Sequence, residues 1–136
     1  MNLRLYKNYS MKAGELIVME LIRGDTKTFT FRRVSRDTKE PILTKATKVY
    51  FTVKRNATDK QPLFQKTIDD MTFDEDGYYH FTILPEDTND LSFGQYVYDI
   101  EVIVGDNGEY KQTISPRSPK NVFEILEEVT YACNEV

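Results

Sequence analysis

The chain has 136 residues, 40% of them hydrophobic, with nine Tyr, eight Phe and no Trp, enough for one core and too few for two. A net charge of −4 argues against nucleic-acid binding, which needs clustered Lys and Arg to neutralise phosphates. The single cysteine, Cys133, excludes an internal disulfide, and no stretch has the apolar length of a signal peptide or a membrane span, so a soluble protein made in a reducing cytoplasm is expected.

Residues 1–14 read as an irregular lead-in ended by Ala13-Gly14. Glu15 to Ile22 is dense in aliphatics; its β-branched content and short length favour a strand over a helical turn. Arg23-Gly24-Asp25 turns the chain into Thr26 to Val34, where Lys27, Phe29, Phe31 and Arg33 share one side and the phenylalanines point inward. Ser35 to Thr44, with Pro41 and many charges, is a loop. Thr47 to Lys54 places Val49, Phe51 and Val53 opposite Tyr50, Thr52 and Lys54. Leu63 to Asp69 alternates less well and reads as an edge strand. Asp74-Glu75-Asp76-Gly77 is a turn cluster, and Tyr78 to Leu84 resumes with Tyr79, Phe81 and Ile83 inward.

Pro85 to Asp90 opens with proline and acidic residues, holds no more than one helical turn, and is expected to bridge two sheets. The strongest strand follows. After Gly94 the even positions Tyr96, Tyr98, Ile100, Val102 and Val104 are all apolar or aromatic, whereas Gln95, Asp99 and Glu101 are polar. Leu91 and Gly94 precede Tyr96 as in a tyrosine corner, in which a tyrosine near a strand start folds back on the preceding bend. Gly105-Asp106-Asn107-Gly108 is a hairpin signal leading into Glu109 to Ser115. Pro116 and Pro119 interrupt the edge before Asn121 to Thr130 resumes with Val122, Phe123, Ile125 and Leu126. The pattern is all-β: an immunoglobulin-like antiparallel β-sandwich of about seven to eight strands over residues 15–130, with 131–136 as a tail. Its fold-determining residues are Phe29, Phe31, Phe51, Phe81, Gly94, Tyr96, Tyr98 and Ile100.

No catalytic constellation is evident. The only histidine, His80, lies on the strand face opposite the inward aromatics, with no serine or cysteine in register to activate. Asp74 and Asp76 are the metal candidates, since hard cations take oxygen ligands. Alignment of Gly77 with the glycine of a calcium loop nevertheless puts Thr72 first and Ile83 where a bidentate glutamate belongs, so a solvated turn is expected. Arg23-Gly24-Asp25 is accounted for by turn chemistry. The acceptor patterns at Asn8 and Asn56 carry no meaning without secretion. No cofactor and no small-molecule ligand is expected. Tyr50, Tyr78 and Tyr110, on wet faces, are the rings that a carbohydrate or host-surface binding module would use for stacking.

With these segments in view, the chain resembles the immunoglobulin-like phage and prophage proteins that include the N-terminal domain of baseplate upper proteins. The resemblance is carried by Arg23-Gly24-Asp25-Thr26 with Phe29 and Phe31, Val49 to Lys54, Gly77-Tyr78, Pro85-Glu86-Asp87-Thr88 and Leu91 to Ile100. Thr113-Ile114, Phe123-Glu124-Ile125 and Glu128-Val129-Thr130 complete it. Pro116-Arg117-Ser118-Pro119 departs from that pattern. The resemblance implies a non-enzymatic virion building block, made in a bacterial host and assembled with other virion proteins and copies of itself, with neither nucleic acid nor membrane as partner.

Overall fold

The computed structural model describes residues 2–6, 17–35, 37–105, 110–114 and 121–128. They form ten strands: β1 (Asn2–Tyr6), β2 (Ile17–Ile22), β3 (Lys27–Val34), β4 (Lys48–Lys54), β5 (Phe64–Thr67), β6 (Met71–Phe73), β7 (Tyr78–Ile83), β8 (Gly94–Val104), β9 (Tyr110–Ile114) and β10 (Asn121–Leu126). A one-turn helix α1 (Pro85–Thr88) links β7 to β8, and a 3₁₀ turn, Ile68–Asp70, links β5 to β6. Four strands, in the order β1-β3-β7-β6, make one sheet. Six make the other, in the order β2-β10-β8-β4-β5, with β9 also on β8. The two sheets pack as a sandwich and the chain is all-β, as its alternation indicates.

The period-2 pattern of β8 translates directly into burial: Tyr96, Tyr98, Ile100 and Val102 are sealed, while Val104 is half-buried against the core. The strand takes β4 along one edge from Val97 to Ile103. Its other edge is divided, β10 pairing with Gly94 to Val97 and β9 with Ile100 to Val104. Three partners on one strand make β8 the middle of its sheet. Opposite it, Phe29 and Phe31 of β3 face Phe81 and Tyr79 of β7, and the Phe31 and Tyr79 rings stack at 4.8 Å. Phe51 of β4 closes the two layers together, its ring 4.6 Å from Phe81 across the sheets and 5.6 Å from Tyr98 within its own. Each such buried ring contributes about 1.5 to 3 kcal/mol relative to exposure, with tilted contacts adding to that.

Polar atoms carried into this core are mostly satisfied. The Tyr79 hydroxyl accepts the Ala46 amide at 2.9 Å, which ties the β3–β4 connection to the sandwich. The corner at the start of β8 forms as the spacing implies, with Tyr96 Oη donating to the Ser92 carbonyl at 2.7 Å. Tyr98 is different: its hydroxyl is buried without a partner among the described residues, and burial pushes its phenol up from the ordinary tyrosine range. Gly77 ends the turn between β6 and β7 at φ +87°, where an added Cβ would lie 2.8 Å from the Ile42 carbonyl oxygen. Gly94 opens β8 at φ +130° with open space around it, so backbone freedom alone is what it supplies.

Three features depart from the sequence reading. Part of the expected irregular lead-in, Asn2–Tyr6, is a strand, and so is Met71–Phe73; five and three residues are too short for a period-2 signal to stand out. The strands therefore number ten among the described residues, not seven or eight. Two pairings, β1 with β3 and β2 with β10, are parallel rather than antiparallel. The partners lie 28 positions apart in the first pair and 104 in the second, and no local turn announces either. The hairpin loop at 106–108, Pro116, Pro119, Cys133 and the 131–136 tail lie outside the described residues.

Replacement of Tyr96 or Ile100 by Ala is expected to cost about 2 to 5 kcal/mol in denaturant unfolding through loss of packing and cavity formation. Asp99→Ala, on the opposite face of β8, should change stability by about 0.5 kcal/mol or less. Gly77→Ala should cost about 1 to 3 kcal/mol, since neither the backbone angle nor the Ile42 carbonyl leaves room for the methyl group.

Candidate functional site

One end of the sandwich gathers residues from across the chain. The turn after β2 carries Arg23, whose guanidinium pairs with Glu128 Oε1 at 2.8 Å and lies 4.3 Å from the centre of the Phe93 ring. The same side chain reaches the Leu91 carbonyl at 3.4 Å, and its amide donates to the Leu126 carbonyl at 3.0 Å. Next to it, the Gly24 amide donates to Thr88 Oγ1 at 2.9 Å. Thr88 is fully buried at the last position of α1, so this hydroxyl is an internal acceptor and not a surface group. The helical turn is fixed in its own right, because Asp87 Oδ2 accepts the Leu84 amide at 2.8 Å and pairs with Lys66 of β5 at 2.7 Å. Both members of that pair are largely shielded from water, so removal of either would leave the other charge poorly solvated.

Around this stapled corner lie apolar side chains that burial has not absorbed. Ile22 and Leu126 are register partners on β2 and β10 with 41% and 36% of their surfaces exposed, and Phe93 is 41% exposed beneath Arg23. Ile22 and Leu126 also line a groove of about 250 Å³ whose other walls include Asp25 and Lys27. An apolar centre with charged groups at its rim is the make-up of a contact surface. The Arg23-Gly24-Asp25 tripeptide is part of this corner. Its arginine is held by Glu128, Leu91 and Phe93, and so serves the turn and not an outside partner.

The residues singled out for metal or chemistry have other work. Asp74 organises the β6–β7 turn: Oδ1 accepts the Asp76 amide at 2.9 Å and the Tyr78 amide at 3.0 Å, and Oδ2 meets His80 Nε2 at 2.7 Å. These bonds, that to His80 foremost, hold the Asp74 carboxyl below the usual range. Asp76 is exposed beside it, and among the described residues no three His, Cys, Asp or Glu side chains are grouped to hold a cation. Asn56 sits in a turn, its amide bonded to Asp59 Oδ2 at 3.0 Å, and Asn8 lies outside the described residues.

The three tyrosines with stacking potential differ in what covers them. Arg32 lies over the Tyr78 ring at 4.6 Å and the buried Arg33 lies 5.7 Å from that of Tyr110, so both rings already have a cationic neighbour. Tyr50 instead lines a concavity of about 340 Å³ on the outer face of the six-stranded sheet. None of these contacts was legible beforehand: Arg32 meets Tyr78 because β3 and β7 pair in a register that joins those two residues.

Because its folded-state carboxyl is depressed, Asp74 stabilises the fold above the unfolded carboxylate range and loses that effect as pH falls through the folded value. Asp74→Ala should accordingly melt below the wild type at neutral pH, with the gap narrowing below about pH 4 as the wild-type carboxylate is protonated. Thermal melts across acid pH check this, and a gap that stays constant with pH would remove the ionic role.

No family model matches the sequence, and no curated protein matches it significantly. Among solved structures, the chain is similar to the N-terminal domain of phage TP901-1 ORF48, at 10% identity and a TM-score of 0.49, over 94% of this chain and 97% of that one.

Proposed function

We propose that the chain is a non-catalytic structural protein of a phage or prophage virion, a tail, baseplate or head-neck component that acts through contacts with neighbouring virion proteins. The observation that carries this reading is the stapled end of the sandwich. Arg23, Gly24, Thr88, Leu91 and Glu128 all belong to the segments on which the resemblance to baseplate upper proteins rests. They are spread over as many as 105 positions of sequence, yet they meet at one corner through direct bonds. That corner holds Ile22, Leu126 and Phe93 exposed on a rigid base, which limits the ordering cost of association there. The partner best suited to it is another virion protein presenting an apolar side chain to the Ile22–Leu126 groove, flanked by charges complementary to Asp25 and Lys27.

The test uses virions of the encoding phage or induced prophage. Electron microscopy should locate this chain in the particle with the Ile22, Leu126 and Phe93 end against a neighbouring protein. A variant carrying both Ile22→Glu and Leu126→Glu should be incorporated about tenfold less or worse at a temperature below its own melting point, which is measured separately because each side chain keeps more than half of its surface covered. Absence of the chain from purified virions, or undiminished incorporation of the double variant, would contradict the reading.

A further inference from the structure

The concavity at Tyr50 lies apart from the stapled end and plays no part in the proposed assembly role. Its floor is the outer face of β5, β4 and β8, where strand register sets Tyr50 beside Glu101 and Thr52 between Gln65 and Asp99. Pro62 and Lys60, from the β4–β5 connection, contribute to its wall. A smaller hollow lined by Lys54, Ala57, Val97 and Asp99 continues it along β8.

Three observations bear on what would fit. Asp99 is a half-buried carboxylate that makes no hydrogen bond or direct ion pair among the described residues, although Lys54 is close enough to act on it through space. The Asp99 oxygens still reach solvent in the hollow, so a ligand hydroxyl can take the place of water there as a donor. Next, Lys54 and Lys60 stand against Asp99 and Glu101, two positive charges against two negative, so the lining selects neither an anion nor a cation. Lastly, the Tyr50 ring has no described stacking or cationic partner, unlike Tyr78 and Tyr110, and offers an aromatic edge or face to apolar C–H groups. Gln65 Nε2 already donates to Thr52 Oγ1 at 2.9 Å, which fixes the amide so that its oxygen faces a known direction. Neutral overall, rich in both donors and acceptors, and bordered by one aromatic ring, this lining matches a polyhydroxylated ring with one apolar face.

We propose that the concavity is a binding site for a neutral saccharide, with Tyr50 packing on the pyranose C–H face and Asp99 accepting hydrogen bonds from ring hydroxyls. Gln65 and the two lysines supply the further polar contacts. At about 340 Å³ the space stands at the small end of ligand sites and holds one or two sugar rings. An open, polar site of this kind binds weakly, with Kd in the millimolar range for a monosaccharide.

The experiment is an NMR shift titration of the intact, isotope-labelled chain with the methyl pyranosides of glucose, galactose, mannose, rhamnose and N-acetylglucosamine, followed by a glycan array. At least one sugar should give saturable shifts clustered on the amides of Tyr50, Thr52, Gln65 and Asp99. Tyr50→Ala and Asp99→Asn should each weaken that binding about tenfold, while Tyr50→Phe keeps most of it and all three retain the wild-type melting temperature. No saturable shift with any of these sugars and no array signal would overturn the proposal, as would shifts that cluster at another face. If a variant fails to fold, the location of the wild-type shifts decides the matter by itself. Shifts produced equally by sodium phosphate or by methylammonium chloride would show a general ionic site and likewise overturn it.

Discussion

The contact between Phe51 and Phe81 is the one on which the rest of this structure depends. A sheet is hydrophobic on one face and must bury it, and here the burial is achieved where the two rings meet at 4.6 Å across the layers. Phe51 also touches Phe64, Tyr98 and Phe123, so a single side chain on β4 links strands β5, β8 and β10 to the opposite sheet. Its neighbours Phe29, Phe31 and Tyr79 extend the cluster along β3 and β7. Interiors packed this closely respond to changes of a single methylene, which is why the inward positions of β8 matter to folding and the outward ones are free for other uses.

That division of labour was readable where the alternation is long. β3, β4, β7 and β8 announce themselves because they run six to eleven residues with an inward apolar position at nearly every second residue, even though Val97 and Ile103 blur the polar face of β8, and the tyrosine corner because Tyr96 and the bend before it lie within five positions. Legibility ends where partners are distant. Asn2–Tyr6 and Met71–Phe73 have too few residues to display a period, and parallel pairing of β2 with β10 joins residues about a hundred positions apart. The stapled corner failed to show for the same reason. Arg23 reads as a turn residue, Thr88 as part of the short Pro85 to Asp90 bridge and Glu128 as part of the last strand, and only the folded chain brings them together. At Asp74 the acidic cluster reads as a turn, and its oxygens are bonded to the backbone of that turn and to His80, a partner that the sequence does not indicate.

The two proposed contact surfaces follow from the same economy. Once Tyr and Phe have filled the core, Ile22, Phe93 and Leu126 remain exposed together at one end, while Leu43, Leu63 and Leu84 are exposed elsewhere in the sequence. The base of the first three is held by the Arg23, Thr88 and Lys66 contacts, and this is the end proposed to meet neighbouring virion proteins. The outer face of β4 and β8 is polar and concave instead, and the two surfaces can act independently on one scaffold.

Native-state amide hydrogen exchange tests the central claim, that β4 and β8 are held as one unit by the Phe51 cluster and that everything else is built on them. The amides of Val49 to Val53 and Tyr98 to Val102 should exchange only through global unfolding, with the edge strands β5 and β6 opening at lower free energy. If β8 exchanged as readily as the edges while another pair of strands carried the slowest amides, the account of a sandwich organised around Phe51 and β8 would be contradicted.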